Sequence, residues 1–172
     1  LVRKPLRDVV APGLDVLLCG INPSLISAER GHHFARPGNR FWKALHGSGF
    51  TPRLLSPYED ASVVDYGLGI TNVVDRPTRS AAELSTEELR QGMRALARLV
   101  ERYEPRVVAV VGLTAWRTGF ERPDAGLGLQ PERIGGRPSW VLPNPSGLNA
   151  HYQLPDLIRL FGELRAALPA IR

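Results

Sequence analysis

Cysteine is almost absent from this chain: among 172 residues there is one, Cys19, inside an apolar run. A single thiol excludes an internal disulfide and any zinc or iron–sulfur site built from cysteines alone. Its apolar setting makes Cys19 a small core residue. Histidine is scarce too. His32, His33, His46 and His151 include no pair at ligand spacing, and adjacent residues such as His32 and His33 are poorly placed to hold one ion from a strand or helix. Lysine stands at two positions only, Lys4 and Lys43, so nearly all positive charge is arginine. No apolar run approaches the roughly 20 residues of a membrane span. The stretch LVRKPLRDVVAPG is basic but lacks the apolar segment and cleavage site of a signal peptide, so a cytoplasmic protein is expected. There is no GxGxxG after the first strand, no P-loop pattern and no serine in a GxSxG elbow.

What is present reads as one globular domain. Hydrophobic residues make up 43% and charged residues 23%, in a length sufficient for one α/β core. The net charge of +5 fits a polyanionic partner without demonstrating one. Four apolar runs read as strands: LDVLLCGI (14–21), LGITNVV (68–74), RVVAVVG (106–112) and SWVLP (139–143). They are continuous rather than alternating in Val, Ile and Leu, the pattern of strands buried on both faces, and this favours parallel pairing.

Helical patterns lie between them. NRFWKALHGSGF has Asn39 as its expected N-cap. LSTEELRQGMRALARLVERY opens on a Ser85–Glu88 capping box and repeats Leu89, Met93, Leu96, Val100 and Tyr103 on one face. Arg90, Arg94, Arg98 and Arg102 recur on another face, which reads as solvated. Shorter helical segments cover 113–120 and about 154–168. The expected fold is α/β: an open, mainly parallel sheet of four to five strands flanked by helices, one domain over 1–172, with 1–13 a tail or short helix. The Gly- and Pro-rich stretch 121–138 reads as a surface loop or short hairpin before the last strand.

In open parallel sheets, ligands bind beyond the carboxyl ends of the strands. Asn22-Pro23-Ser24 follows the first predicted strand and Asp75-Arg76-Pro77-Thr78 the second. Gly112-Leu113-Thr114 follows the third, and Asn144-Pro145-Ser146-Gly147-Leu148-Asn149 the fourth. Asn-Pro and Ser-Gly are ordinary turn dipeptides. Two Asn-Pro-Ser turns on one sheet edge are a less ordinary pair. The polar set contains an amide, a carboxylate, turn N–H groups and an aromatic residue, Phe34. It suits a reaction with a good leaving group, in which positioning a water and stabilising charge suffice.

GINPSL (20–25), FARPGNRFW (34–42), VVDRPT (73–78) and LPNPSGLN (142–149) together resemble the mismatch-specific uracil-DNA glycosylases. These are bacterial relatives of the thymine-DNA glycosylases. The resemblance runs from about residue 14 to 168. It implies an enzyme that flips uracil, or a related damaged pyrimidine paired with guanine, out of duplex DNA. The enzyme then hydrolyses the N-glycosidic bond, because C1′ cannot be attacked inside the stack. It implies no cofactor. The implied partner is double-stranded DNA, with no membrane association, and a monomer is expected.

The resemblance also implies site residues. Asn22 would hold the attacking water. Backbone groups around Gly20 and Ile21, together with Ser27 and Asn144, would contact the base, and Phe34 would stack on it. The turn from Asn144 to Asn149 would enter the duplex, with Gly147 and Leu148 as the wedge and Ser146 and Asn149 near the backbone. An arginine expected soon after the wedge leucine is replaced by Asn149, Ala150 and His151.

Asp75 is a separate inference from the residues themselves. A carboxylate can both position and activate water, so Asp75 is expected to assist Asn22 or to stabilise the cationic sugar. The alternative is an ion pair with Arg76 or another arginine, or a cap on the turn before Pro77. Neither lysine follows a strand on the active edge, so an enzyme without Schiff-base strand cleavage is expected. The competing reading is a non-catalytic nucleic-acid-binding module with the same loops. Base release from a U·G duplex separates the two.

Overall fold

In a computed structural model of the chain, which describes residues 6–171, the four expected strands lie side by side in one five-stranded sheet. The strands are β1 (Val16–Gly20), β2 (Leu68–Asn72), β3 (Val107–Val111), β4 (Gly128–Ile134) and β5 (Arg137–Leu142), in the spatial order β2-β1-β3-β5-β4. All neighbours run parallel except β4, which is antiparallel to β5. Every residue of β1 and β3 is buried, as their unbroken apolar runs require. Cys19 lies wholly in this core, where burial, followed by the charge of Asp8, pushes its thiol far above the ordinary range.

Among the described residues five α-helices flank the sheet: α1 (Leu25–Arg30), α2 (Phe41–Gly47), α3 (Thr86–Tyr103), α4 (Leu113–Gly119) and α5 (Leu154–Ala167). Two apolar layers result. One face packs Phe41, Trp42 and Leu45 of α2 with Leu157, Phe161 and Leu164 of α5. The other packs Leu89, Met93, Leu96 and Val100 of α3 with Trp116 of α4. The capping box opens α3 as expected: Ser85 Oγ accepts from the Glu88 N–H at 3.0 Å, and the Glu88 carboxylate from the Ser85 N–H at 3.1 Å. No helix among the described residues is long and apolar enough to cross a membrane.

Of the two readings of the stretch 121–138, a loop or a hairpin, the structure shows the hairpin. The 121–138 stretch supplies β4, which joins β5 through Gly135-Gly136 with φ of 54° and 80°. Positive φ at both turn residues is what a two-residue hairpin needs. Arg40, not Asn39, occupies the N-cap position of α2, and Asn39 Oδ1 instead accepts from the Phe41 N–H at 2.9 Å. Helix α1 and the 3₁₀ segment Pro57–Tyr66 were not anticipated. Residues 6–13 contain no helix; Val9 pairs with Ile70 as an antiparallel bridge. Lys4 lies outside the described residues.

Candidate active site

The loops leaving β1 and β2 stay bonded to each other beyond the strand ends. Gly20 is the register partner of Asn72, the last residue of β2. The Val73 and Val74 N–H groups then donate to the Gly20 and Ile21 carbonyls, both at 2.8 Å, and the Thr78 N–H donates to Pro23 O at 3.1 Å. Of the backbone groups around Gly20 and Ile21, these two carbonyls each accept a hydrogen bond that joins the loops.

Asn22 hangs between the loops. Its Nδ2 donates to the Arg76 carbonyl at 2.8 Å and to Thr78 Oγ1 at 2.7 Å. A carbonyl only accepts, and Thr78 spends its own proton on Ser80 O at 2.7 Å. Both partners thus require the NH2 end of the amide. Asn22 Oδ1 accepts no hydrogen bond among the described residues, and Asn22 lines the cleft. The group left over is an oriented acceptor, suited to holding a water by its O–H.

Beside Asn22 lies a flat recess. Phe34 adopts φ 51°, rare for a residue with a side chain, and stacks on Phe41 with centroids 3.9 Å apart and planes 14° apart. Phe41 is fully buried, so Phe34 rests on the core while lining the cleft. Ser27 is buried. Its hydroxyl accepts from the Ala35 N–H at 2.9 Å and from Ser24 Oγ at 3.0 Å, which fixes the chain next to Phe34.

Gly20 contributes space. A Cβ there would sit 2.7 Å from Asn72 Oδ1 and 3.2 Å from Phe34 Cζ. Asn72 is a site residue the sequence reading missed, because it looked like part of a strand. Its Nδ2 faces His33 Nδ1 at 3.5 Å. His33 Nε2 lies 2.7 Å from the Arg7 carbonyl, which only accepts, so Nε2 carries a proton there.

The second Asn-Pro-Ser turn forms the opposite wall. Asn144 Oδ1 accepts from the Ser146 N–H at 2.9 Å, and Ser146 Oγ from the Leu148 N–H at 3.2 Å. Asn149 Nδ2 donates to Asn144 O at 3.0 Å. These short-range bonds are the ordinary chemistry of Asn and Ser in turns. They leave Leu148 61% exposed at the cleft rim. Gly147 packs on backbone: a Cβ there would lie 2.9 Å from Gly38 O. Arg40 was also missed; its guanidinium reaches the carbonyls of this turn.

Between the walls is a cleft of about 1100 Å³. Asn22, Ser27, Phe34, Asn144, Ser146, Leu148 and Asn149 all line it, and Arg36, Arg79 and Arg117 contribute positive charge. No carboxylate is among the described residues lining it. Asp75 is exposed and is not among the residues lining this cleft. The hydrogen bonds between Asn22 and this loop are those to Arg76 and Thr78. Lys43 is exposed on α2, also away from the cleft. Among the described residues no group of three or more His, Cys, Asp or Glu is placed to hold a metal ion.

A family model described as the uracil DNA glycosylase superfamily matches residues 7–168. Among solved structures, the solution NMR structure of a "putative Uracil DNA glycosylase" from Methanosarcina acetivorans superposes with a TM-score of 0.61. The match covers 93% of this chain and 96% of that one at 19% sequence identity, which makes it a likeness of fold.

Proposed function

Because the chain belongs to the uracil DNA glycosylase superfamily, we propose that it is a monofunctional DNA glycosylase acting on uracil, or a related damaged pyrimidine, mispaired with guanine. The observation that carries this reading is the Asn22 amide, oriented by Arg76 and Thr78 with its oxygen uncommitted, in a cleft with no carboxylate among the described residues lining it.

A base turned into the cleft stacks on Phe34, an interaction worth roughly 1–3 kcal/mol. Asn72 offers an amide to its polar edge. Leu148, exposed on the opposite rim, enters the stack where the base has left and delays its return. Arg36 and Arg79 face the phosphates. Uracil departs as a delocalised anion. With no strong base present, the C1′–N1 bond breaks ahead of attack, and an amide oxygen is enough to hold the water that adds to C1′. The water oxygen bonds to C1′, one of its protons passes to solvent, and the base anion takes up a proton. Among the described residues no lysine lines the cleft, which supports an enzyme that forms no Schiff base and leaves the abasic strand intact.

The test is base release from duplexes carrying U·G, T·G and U·A, and from single-stranded uracil, scored by alkaline strand cleavage. Release from U·G with breakage only after alkali is expected. No release from any of the four would leave the non-catalytic binding module as the better reading. A borohydride-trapped covalent adduct with DNA would overturn the monofunctional assignment.

A further inference from the structure

Arg40 directs every hydrogen bond it donates at one loop. Its backbone N–H and its Nε both donate to Pro145 O, at 3.0 and 3.3 Å. Nη2 donates to Ser146 O at 2.7 Å and to Asn149 O at 3.2 Å, and Nη1 donates to Tyr152 O. Four carbonyls of one turn therefore converge on one guanidinium. Such a convergence is repulsive unless a donor sits at its centre. A guanidinium offers five N–H groups in a rigid plane, whereas an ammonium offers three around a point. Arg40 makes no salt bridge among the described residues, so its charge is spent on these carbonyls rather than on a carboxylate.

The segment carrying Arg40 is fixed in turn. Phe41 and Trp42, the next two residues, are buried in the core. Phe41 supports the Phe34 ring, and the Gly38 backbone receives Gly147. The exposed wedge and the base-stacking ring are thus mounted on the same helix start, one through Arg40 and the other through Phe41.

We propose that Arg40 is a positioning residue for base flipping. It pre-forms the 145–152 loop so that Leu148 enters the duplex without first paying to order the loop. This rests on the glycosylase reading above. Two readouts test it, with Arg40→Gln and, to keep the charge while removing the fork, Arg40→Lys. The first is hydrogen–deuterium exchange of loop amides in the DNA-free protein, with circular dichroism checking that each variant folds. Exchange across 146–152 faster by about tenfold or more in both variants is expected. Unchanged exchange in both overturns the clamp.

The second is single-turnover base release from a U·G duplex and from a duplex whose uracil faces a one-nucleotide gap. Variants should lose about tenfold or more on U·G and several-fold less on the gapped duplex, where the uracil has no pairing partner to leave and needs less help to flip. Leu148→Ala should show the same pattern, and the double variant should be no worse than the worse single variant. Equal loss on both duplexes, or additive losses in the double variant, overturns action through the wedge. If the wild-type protein releases no base at all, the glycosylase reading and the wedge role fall together. The exchange data still decide whether Arg40 holds the loop.

Discussion

Asn22 is suspended from the backbone of Arg76, its Nδ2 donating to the Arg76 carbonyl oxygen at 2.8 Å. The Arg76 side chain is itself held, with Nε and Nη2 donating to the two Glu88 carboxylate oxygens at 2.8 and 2.9 Å. The orientation of the Asn22 amide therefore depends on a chain of contacts that ends at the first turn of α3.

This suspension separates positioning from basicity. Asn22→Ala removes the water's acceptor and should slow single-turnover base release by about 100-fold or more. Asn22→Asp supplies a stronger base, but a carboxylate cannot donate to the Arg76 carbonyl, and like partial charges push it away. It should be slowed to a similar extent. An Asn22→Asp enzyme as fast as wild type would show that basicity, not the suspended amide, is what matters.

Asp75 offers the complementary case. It is exposed and does not line the cleft, so Asp75→Ala should keep the release rate within about threefold, the range of ordinary surface substitutions. A loss comparable to that of Asn22→Ala would return Asp75 to the reaction.

The Glu88–Arg76 pair gives a pH dependence with a definite sign. The Arg76 hydrogen bond, then the Ser85 N–H, hold the Glu88 carboxyl at about 2, against an ordinary 4.5. A carboxyl depressed in the folded state contributes stability that is fully present above its ordinary value and is lost as pH falls through the folded one. Glu59, depressed by Arg53, titrates in the same window, so the slope alone assigns nothing. The difference in Tm between wild type and Glu88→Gln isolates the pair. It should be largest above about pH 4.5 and vanish near pH 2. A difference independent of pH would mean that the charge of Glu88 does not contribute to stability. The pair is exposed, so a small effect is expected.

How far the sequence revealed these contacts depended on their range. The strands were legible because burial on both faces leaves an unbroken apolar run, as in VVAVV of β3. Helix α3 was legible because its cap and its stripe are local patterns. Asn22, Phe34 and Leu148 emerged from motifs and do line one cleft. Asn72 did not emerge, since only its register with Gly20 distinguishes it from any polar residue at a strand end. Arg40 did not emerge because it acts on a carbonyl 105 residues away, and no local pattern encodes a contact at that separation. Asp75, exposed and outside that lining, shows a related limit. Being at a strand exit fixes the sheet edge, but not which side chains of the following loop turn inward.

Gly20 tests whether the recess is as tight as the geometry indicates. Its φ is not in the left-handed region, so the backbone tolerates alanine, and space is the only constraint. A methyl group there would meet Asn72 Oδ1 at 2.7 Å and Phe34 Cζ at 3.2 Å. The amide is the end of a side chain and can rotate away. The ring is backed by Phe41 at 3.9 Å and can move only toward the cleft. Gly20→Ala should therefore fold, with a stability loss of about 1–3 kcal/mol from overpacking. It should lose base release on every substrate, including uracil opposite a gap, because the obstruction lies in the base recess and not at the wedge. Thermal unfolding and single-turnover release on the two duplexes measure both effects. Full activity in a folded Gly20→Ala protein would mean that the base does not occupy the space between Asn72 and Phe34.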